Sequence, residues 1–368
     1  MVNQPVTNSQ FPNLLSTISA DPASAPEAIY TRLTRLLEAP APANSCALPG
    51  AVGEVIRAIA AELDLPGAPF ASSGNLVIEI GDPAAPLDLL VTAHMDRPCF
   101  RVRSLRDGAL YPLCAIRVPG DSYECEARAL RFVDGRVSVT ATGRLRFDTE
   151  GDGYRIRFLA DQGELAPGDT VMMHCAPTLT GGLVSGTGLD NAIGVLLALL
   201  AAHALNQYAA EGLAGRRLLF ALTDQEEGPP IGLFGQGAAR LAHALEAPRL
   251  GFINIDGHNV DEAAGQVLGV GAAHAFVSGD GRGSVVPLDY QALAEALASE
   301  VNRVRAGAVR LNYSYVSRSD DMLLATWARC LGLTGVIVAD AHTTEETAAL
   351  GDIAAAAHWI PAFISQVL

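Results

Sequence analysis

The 368-residue chain has few cysteines and a shortage of basic residues. Its six cysteines show neither CxxC nor disulfide-like spacing, so we expect reduced thiols, as in a cytoplasmic protein. Arginine and lysine together number 25 against 40 acidic residues, which gives a net charge of −15. This charge argues against nucleic acid and against an anionic membrane surface as partners.

Long apolar runs are also missing. Residues 1–5 have no basic start and no apolar core, so we expect no secretory signal peptide. The longest apolar helical pattern, near residues 192–205, is interrupted by Gly194 and His203. No run therefore reaches the length that a membrane span requires, and the expected location is the cytoplasm.

Apolar residues are nevertheless abundant, at 49% of the chain, and they provide the material for a large core. Four continuous apolar runs of strand length are separated by helical patterns, which is typical of buried parallel strands. The runs cover residues 87–93, 217–223, 250–255 and 336–339. They predict an α/β fold: a three-layer, doubly wound, mostly parallel sheet.

Between the first and second of these runs the pattern changes to short alternating strands with Gly and Asp turns. No convincing helical pattern occurs there. Residues 98–177 are therefore predicted to form a small, β-barrel-like, all-β domain. It would be inserted into a discontinuous main domain made of residues 1–97 and 178–368.

Polar clusters directly follow the four apolar runs. Taken in order along the chain, they are His94 with Asp96, Glu226 with Glu227, Asp256, and His342. In open α/β sheets, ligands bind beyond the carboxyl ends of the strands, so these side chains are expected to converge.

Asp190 is reached differently, through a Gly-rich segment that precedes an apolar helical pattern. An Asp at a helix start is usually an N-cap, and alone that interpretation would be favoured. Together with the strand-end clusters, however, it completes a set of two imidazoles and three carboxylates. Such a set can hold two divalent ions with one shared carboxylate, leaving a Glu and an Asp as base and orienter.

Some neighbouring residues have structural explanations. Thr343 and Glu346 fit a capping box, so Glu345 and Glu346 are assigned to helix capping and not to the metal site. His258 and His274, near Asp256, are open candidates for substrate contact. Each strand-end cluster also has a structural alternative of its own, such as an Asx-turn at Asp256.

The ordered set resembles the glutamyl and deblocking aminopeptidases, often called tetrahedral aminopeptidases, a family of dinuclear metallopeptidases. The resemblance extends from about residue 28 to the C-terminus. The shared segments are residues 73–77, 94–96, 167–171, 189–194, 225–228 and 255–256, and the late His342.

The resemblance implies five metal ligands and two catalytic residues. The ligands would be His94 and Asp256 for one ion, Glu227 and His342 for the other, and Asp190 as the bridge between them. Glu226 would be the general base, and Asp96 would orient the imidazole of His94. The cofactors would be two divalent ions, zinc first, with cobalt or manganese also possible in such a mixed site.

The resemblance further implies peptide substrates that lose their N-terminal residues, and a homo-oligomer, with a dodecamer as the expected assembly. The chain also departs from the family pattern. Arg97 and Pro98 stand where an acidic and an apolar residue are usual, and the match near Ser319 and Asp320 is loose. These departures leave the preferred substrate open.

Three other functions remain as alternatives. A deacylase-like amidohydrolase or a carboxypeptidase acting on small N-acyl substrates would share the motifs, but its extra domain would follow Glu227, where the gap to Asp256 is too short. A glycosidase would need carboxylates that flank a bond from two sides, which adjacent Glu226 and Glu227 do poorly. A degenerate metal-binding scaffold would have no need of Glu226.

Overall fold

The computed structural model describes residues 17–18, 20–65, 70–72, 74–114, 117–118, 120, 122–151, 153–208, 213–228 and 235–368; Ser73, from the early shared segment, lies outside this range. The helices are α1 (Pro26–Glu38), α2 (Val52–Glu62), α3 (Leu189–Tyr208), α4 (Gln236–Ala244), α5 (Leu288–Val304), α6 (Asp321–Leu324) and α7 (Leu350–Val367). The strands are β1 (Phe70–Ser72), β2 (Asn75–Gly81), β3 (Leu87–His94), β4 (Cys99–Val102), β5 (Leu110–Pro112), β6 (Ser122–Val133), β7 (Arg136–Glu150), β8 (Gly153–Gly163), β9 (Thr170–Met173), β10 (Thr178–Thr180), β11 (Leu183–Gly186), β12 (Arg217–Thr223), β13 (Gly251–Asn259), β14 (Ala272–Ala275), β15 (Val309–Asn312), β16 (Cys330–Val338) and β17 (Glu346–Ala349).

An eight-stranded sheet, in the order β1-β2-β12-β3-β13-β16-β14-β15, forms the centre of the main domain. Its four middle strands, β12, β3, β13 and β16, are parallel to one another and are the four predicted apolar runs. Every residue of β3 and β16 is buried, as the continuous apolar pattern requires. Helices α3, α5 and α7 pack on the sheet, and the predicted α/β class is confirmed.

Helix α3 crosses the parallel strands and is buried almost throughout. By length and composition it is the one helix of the described residues that could span a membrane: residues Leu189–Gln207 have a mean hydropathy of 1.5, and 83% of the most apolar stretch is buried. The expectation that no apolar segment reaches this length is therefore wrong. The helix continues through both residues: at Gly194 the side chain of Asn191 lies where a Cβ would be, and Nδ1 of His203 is 2.6 Å from the carbonyl oxygen of Leu63.

Strands β4 to β9, which follow β3, form a second, antiparallel sheet with the order β5-β4-β9-β6-β7-β8, while β10 and β11 pair with β17 in a third sheet. The second sheet has its own apolar core, which includes Phe100, Leu145, Phe147 and Val171. Its two edge strands approach each other, since the N–H of Phe158 donates to the carbonyl oxygen of Gly108 at 2.9 Å. The predicted all-β insert is confirmed, while its bounds at residues 98 and 177 stay a prediction.

Asn75 ties β2 to the ends of two other elements. Its Oδ1 accepts the N–H of Asp224 at 2.9 Å, and its Nδ2 donates to the carbonyl oxygen of Gly237 at 3.0 Å. The side chain is fully buried. Asp224 follows β12 and Gly237 lies at the start of α4, so Asn75 holds the segment that carries Glu226 and Glu227.

We predict that Asn75→Ala destabilises the protein by about 2–4 kcal/mol, because a buried N–H and a buried C=O each lose their partner at a cost of roughly 1–3 kcal/mol. Denaturant unfolding of the variant and of the unmodified protein measures the difference. An unchanged unfolding midpoint would contradict the role assigned to Asn75.

Candidate metal centre

The carboxyl ends of the four parallel strands open into one cavity of about 330 Å³. All the site residues predicted from the sequence except Asp96 line it, namely His94, Asp190, Glu226, Glu227, Asp256 and His342. Asp96 is fully buried behind them. The parallel sheet thus brings together side chains that lie far apart in the sequence.

Asp190 lies between the two histidines. Its Oδ1 is 3.2 Å from Nε2 of His94, and its Oδ2 is 3.6 Å from Nε2 of His342. His94 Nε2 is also 3.7 Å from Oδ1 of Asp256, and His342 Nε2 is 3.1 Å from Oε1 of Glu227. Both imidazoles thus place Nε2 near the Asp190 carboxylate, and the division of the ligands between two ions stays a prediction.

The helix cap next to this carboxylate comes from Asn191 and not from Asp190. Asn191 Oδ1 accepts the N–H of Gly194 at 2.9 Å, and its Nδ2 donates to the carbonyl oxygen of Ile255 at 2.8 Å. The backbone at Asp190 is not helical, with φ of −81° and ψ of 103°, and the Asp190–Asn191 peptide is cis. Because Asn191 takes over the capping, the Asp190 carboxylate is left to face the histidines.

Asp96 contacts both the first histidine and the Glu pair. Its two carboxylate oxygens accept the N–H groups of Glu226 at 3.0 Å and Glu227 at 3.2 Å. His94 Nδ1 lies 3.2 Å from the main-chain oxygen of Asp96 and 3.6 Å from its Oδ1. The Asp96 side chain thus fixes the backbone that carries Glu226 and Glu227 and also lies beside the His94 ring.

Four carboxylates lie close together in this cavity, which Arg117 and Arg318 also line. Burial raises the pKa of Glu226 well above its usual range; His94 opposes this shift, and Glu227 and Asp256 add to it. Burial would lower the pKa of His342, but Glu227 and Asp190 outweigh it and raise this pKa to about 11. Such a cluster needs positive charge near its carboxylates.

The donor set fits divalent cations. His94, Asp190 and Glu227 offer ligand atoms that all lie within 4.8 Å of one another. Within the described residues, Oε1 of Glu227 and Nδ1 of His342 are buried without a hydrogen-bond partner. Imidazole nitrogens and carboxylate oxygens are the ligands that zinc and similar ions accept, and such ions would place positive charge directly beside the carboxylates.

The predicted capping box at Thr343 and Glu346 is wrong. Glu346 begins strand β17, and helix α7 begins only at Leu350. Thr343 instead donates from Oγ1 to the carbonyl oxygen of Asp340 at 2.7 Å, within a turn. The buried Glu346 carboxylate accepts the N–H groups of Asp190 and His342, each at 3.0 Å. Sequence reasoning missed this contact because the local Thr-x-x-Glu pattern is equally compatible with a cap.

The two open histidine candidates differ in position. His258 lines the cavity and stacks on Tyr315 with ring centroids 4.2 Å apart. His274 is not among the lining residues; it lies in an aromatic cluster, where Trp359 donates to its Nδ1 at 3.3 Å. Only His258 therefore remains a candidate for substrate contact.

Arg97, the most evident departure from the family pattern, is buried and is not among the residues that line the cavity. Its guanidinium donates to the carbonyl oxygens of Leu36 at 2.5 Å, Leu37 at 2.9 Å and Ala39 at 3.3 Å. These groups lie at the end of α1, whose last carbonyls lack helical partners. Arg97 therefore stabilises the end of α1 and does not lie where it would contact a substrate.

No protein-family model and no curated protein matches the chain. Solved structures do. An aminopeptidase from the archaeon Desulfurococcus kamchatkensis superposes with a TM-score of 0.70 at 17% identity, over 92% of this chain and 95% of that chain. The TET1 peptidase of Pyrococcus horikoshii, which can assemble into a tetrahedron or a large octahedral shell, gives 0.67 at 17% identity, over 91% and 98%.

An endoglucanase from Thermotoga maritima is similar as well, with a TM-score of 0.61 at 17% identity, over 91% of this chain and 98% of that chain. At such identities the likeness shows the fold. It confirms, at the level of the fold, the resemblance to tetrahedral aminopeptidases that the motifs indicated.

We predict that Arg97→Met destabilises the protein by about 2–4 kcal/mol, because three helix-end carbonyls lose a charged donor and each such bond contributes roughly 1.5–3 kcal/mol before relaxation. Arg101→Met is the matched control: Arg101 lies exposed on β4 and donates to one carbonyl oxygen, that of Gly168. Its expected effect is within about 0.5 kcal/mol. Equal unfolding midpoints for the two variants would show that the buried contacts of Arg97 contribute nothing.

Proposed function

We propose that this protein is a tetrahedral-type metallo-aminopeptidase that uses two divalent ions to remove N-terminal residues from peptides. The observation that carries the proposal is the position of Asp190 between two His–carboxylate pairs, with Glu226 beside them but outside both pairs. The similarity of the fold to solved aminopeptidases supports it.

One ion would be held by His94, Asp256 and Asp190, and the other by Glu227, His342 and Asp190. When bound, the ions would polarise a peptide carbonyl and lower the pKa of a nearby water molecule. Zinc is the first choice, and cobalt or manganese would also suit these ligands.

Glu226 is the proposed general base. It lines the cavity, and its backbone N–H is fixed by Asp96, so its carboxylate has a defined position. It would take a proton from the attacking water and deliver it to the amine that leaves. Asp96 supports this step by holding Glu226 and Glu227 together.

An N-terminal substrate fits the charge of the cavity. Asp256 and Glu226 line it and can accept hydrogen bonds from an α-ammonium group. Anchoring that group would leave the first peptide carbonyl at the proposed ions. The substrates would therefore be peptides with free amino termini.

We further propose a homo-oligomer, with a dodecamer as the assembly, because solved structures with this fold include a dodecamer and a shell-forming peptidase. A cytoplasmic location agrees with the six free cysteines.

A glycosidase is the second candidate function, since one protein of similar fold is called an endoglucanase. An assay of aminoacyl chromogenic amides beside a cellulose-type substrate separates the two reactions.

We predict that Glu226→Gln retains both ions and loses turnover by about 10²–10⁴-fold, because it removes the proton acceptor without removing a ligand. Metal content after dialysis and kcat on an aminoacyl amide test this. The matched control is Glu227→Gln, which we expect to lose an ion. If the Glu226 variant lost the ion instead, the roles of these two residues would have to be exchanged.

We also predict that acetylation of the substrate amino terminus strongly reduces kcat/KM, because a hydrogen bond to a charged group contributes about 1.5–3 kcal/mol. Matched free and acetylated peptides are compared in metal-replete buffer. Equal rates, or internal fragments as the first products, would favour a general amidohydrolase over an aminopeptidase.

A further inference from the structure

One carboxylate, that of Glu346, joins two of the proposed metal ligands through their backbones. Oε2 accepts the N–H of Asp190 and Oε1 accepts the N–H of His342, both at 3.0 Å. The side chain is only 1% exposed. Both oxygens are thus used, and both bonds are shielded from water.

Glu346 joins two segments that lie next to the paired strands β11 and β17. Asp190 precedes the regular part of α3, while His342 lies in the turn between β16 and β17. The backbone of His342 has a φ of +68°, a left-handed conformation that side-chain-bearing residues adopt only when their surroundings hold them there. The pairing of Glu346 with Gly186 on β11 places the carboxylate beside the segment that leads to Asp190.

The chemistry of the contact requires a carboxylate. Two N–H donors need two acceptor oxygens, and a glutamine offers one oxygen and one NH₂ group. A buried carboxylate is costly unless a positive charge lies near it. Burial raises the pKa of Glu346 to about 8 and the charge of Asp190 adds to this, while the N–H groups of Asp190 and His342 and the imidazole of His342 oppose it.

We propose that Glu346 is a positioning residue of the metal centre. It holds the Asp190 carboxylate and the His342 imidazole at the spacing required by the ion that Glu227 and His342 would bind. The inference rests on the proposed function, in that it takes these residues as ligands. Mutation of a residue that orients metal ligands in this way typically lowers metal affinity by about 10–100-fold.

Glu346 contacts the shared ligand Asp190 and, of the ligands proposed for one ion alone, His342, and this difference makes the proposal testable. Within the described residues, the N–H groups that donate to the Glu346 carboxylate are those of Asp190 and His342, and neither His94 nor Asp256 donates to it. The site formed by His94 and Asp256 keeps its supports, which include Asp96 beside His94. Loss of Glu346 should therefore weaken the ion at Glu227 and His342 more than the ion at His94 and Asp256.

The experiment measures zinc and cobalt binding to the full-length apo-protein by equilibrium dialysis and calorimetry. For Glu346→Gln we expect two classes of metal site. The ion at His94 and Asp256 should bind within about threefold of its affinity for the unmodified protein, and the affinity for the ion at Glu227 and His342 should fall by about 10–100-fold. Glu346→Asp, which keeps two acceptor oxygens, should recover part of the loss, and it replaces the Gln variant if that variant does not fold.

Asp352→Asn is the matched control. Asp352 is also a buried carboxylate that accepts two backbone N–H groups, from Gly269 at 2.7 Å and Gly271 at 2.8 Å, but it does not line the cavity. We expect the control to lower the unfolding midpoint and to leave both zinc affinities unchanged.

Two unchanged affinities in Glu346→Gln would overturn the proposal, and so would an equal weakening of both ions that matches the Asp352 variant. If the unmodified protein binds no ion, this inference and the proposed function both fail. If the unmodified protein binds two ions but cleaves no peptide, and Glu346→Gln weakens mainly the ion at Glu227 and His342, the proposed function fails while the role of Glu346 stands.

Discussion

The arrangement of this protein depends on the repulsion among carboxylates that are buried together at the ends of the parallel strands. Asp190, Glu226, Glu227 and Asp256 share a cavity of about 330 Å³ with three imidazoles and two guanidinium groups, those of His94, His258, His342, Arg117 and Arg318. Carboxylates packed this closely cannot all be ionised without compensation by positive charge. The proposed pair of divalent ions gives that compensation, and the fold keeps the carboxylates in place to receive them.

Backbone N–H groups, aimed at acidic side chains, hold the segments around the cavity. Asp96 accepts two from the Glu226–Glu227 segment, and Asp224 accepts two, from Asn44 and Cys46. Glu346 accepts two more from proposed ligands. A carboxylate with two donors cross-links two chain segments, so the loops beyond the strands acquire defined positions that short apolar contacts alone would not give them.

The inserted antiparallel sheet has its own core, yet it reaches the same loops. It leaves the main domain after the segment that holds Asp96 and returns before Asp190. Tyr123 on β6 makes a short hydrogen bond with Thr344, two residues beyond His342. The insert therefore contacts the turn that carries a proposed ligand, and its Arg117 lines the cavity.

The sequence by itself determined the parallel strands and the polar residues at their ends, because a fully buried strand must be apolar throughout and its end is marked where that pattern stops. It also indicated the all-β insert through alternation. Tertiary structure alone decided the places of Glu346 and Arg97. From the sequence, Glu346 fitted a helix cap and Arg97 was only a departure from the family pattern, because local patterns report only nearby partners. Their actual partners lie 156 residues away for Asp190 and 61 for Leu36, and only the folded chain brings them together.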